Sequence, residues 1–127
     1  MTSSEVLVRS VLGPCRKKIR PFACAVDCVI QHSFAVEKPI EDILVTKDIY
    51  PEVARILQMS PESAARQVER IANDCWTLGD RERLNRILGG DFPDCPAPRD
   101  MLFYFAAYAH FGVPYRQAMD LKFASLF

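Results

Sequence analysis

The chain has 127 residues, half of them apolar and a quarter charged, and its 16 basic residues balance 16 acidic ones. This size and composition are typical of one globular domain and exclude a disordered chain. No apolar run approaches the roughly 18 residues of a membrane-spanning helix, and the N-terminus lacks a signal-peptide pattern, so we expect a cytoplasmic protein with no membrane partner. Because phosphate contacts supply much of the affinity of DNA-binding proteins, any DNA binding by this neutral chain must rely on local basic patches.

Hydrophobic periodicity and helix-breaking residues predict an all-α single domain of about six helices over residues 1–127. The first three predicted helices span 3–12, 21–36 and 40–58. Ser3 or Ser4 is expected to cap the first, and Pro51 to divide the third, because proline lacks a backbone donor. The core-facing stripe of the third helix is predicted to consist of Ile49, Val53, Ile56 and Leu57.

The fourth predicted helix, about 61–77, has the clearest start signal in the chain. Ser60 can cap it, Pro61 suits its first position, and Glu62 complements the positive end of its dipole. With the helix before it, this segment forms a helix-turn-helix pattern over 49–79. The residues predicted to pack on the preceding helix are Ala64, Val68, Ile71, Ala72 and Cys75.

The remaining helices have clear boundaries. Asp80 can cap a fifth helix that ends at the glycine pair 89–90, and Pro98 can open a very aromatic sixth helix that runs to about Phe111. A helix this apolar is expected to be buried on most sides or to lie in an interface. A shorter amphipathic stretch follows Pro114, and we expect it to pack on the core, with a dimer contact as the alternative.

One face of the fourth helix carries side chains suited to base recognition. Arg66 and Arg70 lie one turn apart, and Arg, Gln and Asn are the residues that hydrogen-bond base edges in the major groove. The basic connector over 16–20 could contact the DNA backbone. The residues predicted to contact DNA are Ser63, Arg66, Gln67, Arg70 and Asn73 on the helix, and Lys17, Lys18 and Arg20 in the connector. A second basic patch on the fifth helix consists of Arg81, Arg83 and Arg86.

Acidic residues on the fourth helix favour a second interpretation. Glu62 and Arg66 are spaced to form an ion pair that would occupy the arginine, and Glu69 would face phosphates unfavourably. Helix pairs of this kind are also common in proteins that never bind DNA. The alternative function is therefore a protein-interaction module that has lost DNA reading and modulates another regulator.

The cysteines and histidines suggest neither a metal nor an enzyme. Five cysteines without a secretory signal favour reduced thiols. Cys24, Cys28 and His32 recur every four residues, and thiolate and imidazole are good zinc ligands, but without a CxxC pair the cysteines are expected to pack as small hydrophobes. No spacing of nucleophile and base, no phosphate-binding glycine loop and no HExxH motif appears. We therefore expect no metal, no cofactor and no enzymatic activity.

Landmarks across the chain resemble a known family. The stretch Asp48-Ile-Tyr-Pro-Glu-Val-Ala-Arg, followed by Gln67-Val-Glu-Arg and Trp76-Thr-Leu-Gly, resembles the C-terminal DNA-binding effector domain of the Spo0A family of sporulation response regulators. Similar landmarks outside it are Lys18-Ile-Arg-Pro-Phe, Asn85-Arg-Ile-Leu-Gly and Pro96-Ala-Pro-Arg-Asp-Met-Leu-Phe. The resemblance covers roughly residues 6–111 and leaves 112–127 unmatched.

This resemblance implies a six-helix fold with a central helix-turn-helix, and sequence-specific binding to promoter DNA, often as paired copies. It places the recognition helix at 61–76, where Arg66 matches an arginine of the family. Ser63 and Glu69 stand where the family usually has arginines, and Ala65 where it usually has glutamate. The expected partner is double-stranded DNA, with RNA polymerase, another regulator or a second copy of the chain as further candidates. We expect a stand-alone domain without a receiver domain, and so no built-in phosphorylation switch.

Overall fold

The computed structural model describes residues 2–14, 18–36, 38–39 and 42–121 in full, and the backbone of residues 122–124. These residues form an all-α single domain, which confirms the predicted fold class. The described helices are α1 (Ser3–Leu12), α2 (Arg20–Val29), α3 (Tyr50–Leu57), α4 (Pro61–Thr77), α5 (Arg81–Leu88), α6 (Pro98–Phe111) and α7 (Tyr115–Ala124). The seventh helix is the amphipathic stretch after Pro114. Within the described ranges, no helix is both long enough and apolar enough to cross a membrane.

In the part of the chain that the structure describes, two π-helical segments adjoin α-helices. Ile30–Phe34 continues α2, so this helix ends two residues before its predicted end at residue 36. Val45–Ile49 leads into α3, and Leu44 before it has an extended backbone with φ −102° and ψ 107°. The described part of the predicted third helix therefore starts at residue 45, and residues 40 and 41 lie outside the described residues. Pro51 lies in the first turn of α3, where its missing N–H costs no helical hydrogen bond.

The caps of α4 and α5 are those that the sequence predicts. The hydroxyl of Ser60 accepts a hydrogen bond from the amide of Ser63 at 3.1 Å, and the carboxylate of Asp80 accepts one from the amide of Arg83 at 3.1 Å. Caps of this kind each stabilise a helix by about 1 kcal/mol. Gly89 ends α5 with φ 88°, the left-handed conformation of a glycine stop.

The cap of α1 differs from the prediction. The hydroxyl of Thr2, rather than that of Ser3 or Ser4, accepts a hydrogen bond from the amide of Glu5 at 3.1 Å. Ser4 cannot act as the cap because its side chain is buried and its hydroxyl donates to the carboxylate of Asp27 on α2. The helix still begins at Ser3, as predicted, but with Thr2 as its cap.

The core lies where α2 crosses α6 and α4 packs on both. Phe22 of α2 and Phe105 of α6 are fully buried, with their rings edge to face at a centroid distance of 5.1 Å. The apolar stripe predicted for α4 is buried at every position: Ala64, Val68, Ile71, Ala72 and Cys75. This stripe fixes α4 with its opposite face toward solvent.

The predicted stripe of α3 is wrong at one position. Ile49 and Val53 are fully buried and Leu57 is half-buried, but Ile56 is 47% exposed. Ile56 borders an open cleft between α1, α2 and α3, so no described helix covers its side chain there.

The described part of the tail packs on the core but leaves one large apolar side chain exposed. Helix α7 packs on α6, with Ala118 buried, whereas Leu121 is 59% exposed. Residues 125–127, the last part of the predicted amphipathic stretch, lie outside the described residues.

Gly79 allows a close approach between the end of α4 and α1. A Cβ atom at residue 79 would lie 2.5 Å from both the carbonyl oxygen of Cys75 and the Cγ1 atom of Val11. The amide of Asp80 also donates to the carbonyl of Val11 at 2.8 Å. The glycine of the Trp-Thr-Leu-Gly landmark therefore has a packing role that is separate from any contact with DNA.

The turn between α3 and α4 is strained at Gln58, which has φ 56° and ψ 53°. A side chain in this left-handed region costs about 1–2 kcal/mol, which glycine avoids, although glycine also gives the unfolded chain more freedom. We expect Gln58→Gly to raise the free energy of unfolding by about 0.5–1 kcal/mol, measured by urea denaturation. Gln117→Gly is the matched control, since it removes an exposed glutamine within α7 and should lower stability by about 1 kcal/mol. A loss of stability in Gln58→Gly would contradict this account of the turn.

Candidate nucleic-acid interface

The outer face of α4 presents the side chains predicted to contact DNA. Arg66, Arg70 and Asn73 are exposed, and Ser63 and Gln67 are half-buried. The side-chain amide of Gln67 donates a hydrogen bond to the hydroxyl of Ser63 at 3.1 Å, which orders this edge of the helix. Because α3 and the core hold the opposite side of α4, these five side chains share a rigid support.

The two arginines at the centre of this face have no internal partner in the described residues. Neither Arg66 nor Arg70 forms an ion pair or hydrogen bond there, and the predicted pair between Glu62 and Arg66 is not formed. Four residues apart on one helix, the arginines are separated by about 6 Å along its axis. Their guanidinium groups are therefore available to an external partner.

Glu69 lies at one margin of the face. The hydroxyl of buried Tyr50 donates to the Glu69 carboxylate at 3.3 Å. Burial and the neighbouring carboxylate hold the pKa of Tyr50 well above its usual range, so its hydroxyl remains a donor. Glu69 and Gln67 point about 160° apart around the helix axis, so the negative charge is directed toward α3 and away from the Gln67 side.

Basic residues cluster on the Gln67 side of α4. A cleft of about 510 Å³ there is bordered by Gln67, Lys18, Arg20, Arg9 and Glu5. The fold thus brings two of the three predicted connector residues beside the predicted recognition helix, while Lys17 lies outside the described residues. Arg9 is not among the residues predicted to contact DNA, because no local pattern on α1 relates it to α4.

The connector exposes its basic side chains because it buries the apolar residue that follows each of them. Ile19 is 4% exposed and Pro21 is also buried, whereas Lys18 and Arg20 are exposed. This alternation anchors the connector against the core and directs the two cations outward. Together with Arg9, they make three cations among the described residues that border the cleft, where Glu5 is the one acidic residue.

The second basic patch is engaged within the protein. The Arg81 guanidinium lies 3.8 Å from the centre of the Trp76 ring and donates to the Trp76 carbonyl at 2.6 Å. Arg83 donates to the hydroxyl of Ser10 at 3.1 Å, and Arg86 pairs at 3.0 Å with a carboxylate one turn away. These contacts occupy the patch in the structure, so the cleft beside α4 is the better candidate for phosphate contact.

Cys24, Cys28 and His32 border a different cleft, of about 310 Å³, between α1, α2 and α3. Over the described ranges, no three His, Cys, Asp or Glu side chains are arranged so that they could hold a metal ion.

Comparison of the chain with models of known protein families, with curated proteins and with solved structures finds no match in any of the three. The resemblance to the Spo0A-type effector domain therefore stays a prediction.

Proposed function

We propose that the chain is a cytoplasmic transcriptional regulator that binds double-stranded DNA, with α4 as its recognition helix. The observation that carries this proposal is the pair of exposed arginines, Arg66 and Arg70, at the centre of a rigidly supported helix face. Among the described residues they have no partner, and the basic cleft lies beside them. The landmarks shared with a sporulation regulator family add support from the sequence.

The geometry favours an asymmetric fit to the major groove, which is about 12 Å wide and admits a helix. Arg66 and Arg70 would hydrogen-bond base edges, and Asn73 could bind an adenine. The N-terminus of α4 at Ser60 would meet a phosphate. On the Gln67 side, the basic cleft would follow one DNA strand, while the acidic margin lies on the other side of the helix.

The proposal is tested by selecting duplexes from a random library and titrating the binding of the winners with salt. We expect the double variant Lys18→Ala/Arg20→Ala to weaken binding to all duplexes and to reduce the salt slope by about 2, since each lost phosphate contact removes about 1. The matched control is Arg86→Ala/Arg116→Ala, which removes two exposed cations on α5 and α7, outside the proposed interface, and should leave the slope unchanged. Failure to bind any duplex at low salt would overturn the proposal.

An interaction with another protein is the second candidate, and the 47% exposure of Ile56 on α3 favours it. A large apolar side chain in this position, beside an open cleft, suits contact with another regulator or a subunit of RNA polymerase. Zero net charge and the exposed Glu62 and Glu69 also suit a protein partner. A complex that survives high salt, is lost in Ile56→Ser and is unaffected by changes at Arg66 and Arg70 would favour this function over DNA binding.

A further inference from the structure

The cleft between α1, α2 and α3 has apolar walls and is open to solvent. Its volume is about 310 Å³, at the lower end of the range of small-molecule sites in proteins. Ile56 and Leu57 of α3 form one wall, and Cys24 and Cys28 of α2, which are small apolar side chains, form another. Because Ile56 is 47% exposed, an occupant of the cleft would take apolar surface out of water.

Carboxylates from all three helices border this cleft: Glu5 of α1, Asp27 of α2 and Glu52 of α3. Each of the three residues is half-buried. The basic residues among the described ones on the border are Arg20 and His32. Three carboxylates thus stand against one arginine and one histidine, and an occupant with positive charge suits this border better than one with negative charge.

Contacts within the protein show which of the carboxylates can serve an occupant. Glu52 is paired with Arg55 at 2.7 Å, so its charge is already balanced. Asp27 accepts a hydrogen bond from the hydroxyl of Ser4, a neutral group that leaves the charge of the carboxylate in place. The same bond holds Asp27 against α1, beside the residue that precedes Glu5. The negative charge available to an occupant is therefore that of Asp27 and Glu5, on the α1 side of the cleft.

We propose that this cleft binds a small organic cation, an amine whose apolar body is about the size of one aromatic ring. The apolar body contacts Ile56, Leu57 and the thiols, and the ammonium group lies between Glu5 and Asp27. This division between apolar walls and a few charged groups is typical of small-molecule sites. A neutral molecule of the same shape makes only the apolar contacts, and an anion is repelled by the two carboxylates.

The cleft shares part of its border with the basic cleft beside α4. Glu5, Arg20 and Leu57 border both clefts, and Glu5 is the one acidic residue among the described residues around the basic cleft. An ammonium group bound next to Glu5 offsets a carboxylate that otherwise repels a DNA phosphate. Amine binding therefore strengthens duplex binding, and the duplex strengthens amine binding by the same factor. This coupling rests on the proposed DNA-binding function, whereas the binding of the amine does not.

The binding test titrates the full chain with 2-phenylethylamine at about pH 8, above the ordinary pKa of histidine, and follows the backbone amides by NMR. We expect saturable shifts in segments 24–28 and 52–57, with a dissociation constant of about 1 mM for a ligand of this size. 2-Phenylethanol should bind about threefold more weakly, and 3-phenylpropanoate at least about tenfold more weakly. No saturable shifts in these segments with the amine, or equal affinity for the anion, would overturn the proposal.

A variant series separates the charged contact from the apolar one. Glu5→Gln should weaken amine binding about threefold and leave the binding of 2-phenylethanol unchanged. Glu82→Gln is the matched control, because Glu82 also lies in the first turn of a helix but does not border the cleft, and it should change neither. Ile56→Ser should weaken binding of both ligands. An equal effect of Glu5→Gln on the amine and the alcohol would contradict the placement of the ammonium group.

The coupling is measured by fluorescence anisotropy of a selected duplex with and without saturating 2-phenylethylamine, at constant ionic strength because free cations weaken DNA binding. We expect about threefold tighter duplex binding by the wild-type chain and no change in Glu5→Gln. Unchanged or weaker binding by the wild-type chain would overturn the coupling. If no duplex binds, the DNA-binding function fails and the NMR titration still decides the amine site. If a duplex binds but the amine causes no saturable shifts, only the amine site fails.

Discussion

Replacing both Arg66 and Arg70 with alanine is expected to weaken binding to a selected duplex by at least about 30-fold. Each specific arginine contact with a base contributes about 1–3 kcal/mol, so the pair contributes about 2 kcal/mol or more. Both side chains are exposed and without an internal partner in the described parts of the chain, and alanine favours helix, so the fold should be retained. Fluorescence anisotropy at one fixed salt concentration measures the loss.

Two further variants show what kind of contact is lost. Arg66→Lys/Arg70→Lys keeps both charges but cannot make the planar two-point contact with guanine, so it should retain general DNA affinity and lose selectivity among sequences. Arg86→Ala/Arg116→Ala makes the same charge change on α5 and α7, outside the proposed interface, and it should have a much smaller effect. If the alanine pair at 66 and 70 keeps full affinity, α4 is not the recognition helix, and the protein-interaction function becomes the stronger candidate.

Phe22→Ala is expected to lower the free energy of unfolding by about 3–5 kcal/mol. Phe22 is fully buried, and its ring meets Phe105 edge to face where α2 crosses α6. The alanine variant therefore loses the free energy that the folded state gains by burying the ring, and it leaves a cavity at the centre of the domain. A loss of this size is a large fraction of the roughly 5–15 kcal/mol that stabilises a typical domain. Urea denaturation followed by far-ultraviolet circular dichroism measures it.

The control for this prediction is Phe34→Ala. Phe34 is half-buried and stacks against the exposed His110 at a centroid distance of 6.0 Å, so its removal takes less apolar surface out of contact with the core. It should cost less stability than Phe22→Ala. Equal losses in the two variants would show that the crossing of α2 and α6 is not the main core contact.

Local signals in the sequence predicted the helix ends well where a single cap acts. Ser60, Asp80 and Gly89 each mark a boundary that the structure has. The prediction failed at α1, because Ser4 is as good a cap as Thr2 by residue type but points into the core and donates to Asp27. It failed again at Ile56, because periodicity gives the direction of a side chain and not whether a neighbouring helix covers it.

At the candidate interface, too, the sequence shows some features and only the fold shows the others. The spacing of Arg66 and Arg70 is visible in the sequence, and so is the spacing of Arg81 and Arg83. Only the fold distinguishes the two pairs, because Arg83 donates to Ser10, 73 residues away, and Arg81 stacks on Trp76. The nearness of Arg9 to α4 was likewise invisible, since α1 and α4 meet only after the chain has folded.

By itself, the sequence determined the all-α class, most helix boundaries and the buried stripe of α4. Caps, prolines and glycines act through the backbone within about four residues, and helical periodicity repeats over the same distance. Only the tertiary structure decided that Arg66 and Arg70 remain without an internal partner among the described residues, and that Lys18 and Arg20 share a cleft with Gln67. Those properties depend on contacts between helices that lie far apart along the chain, and no local pattern encodes which distant side chain will be the neighbour.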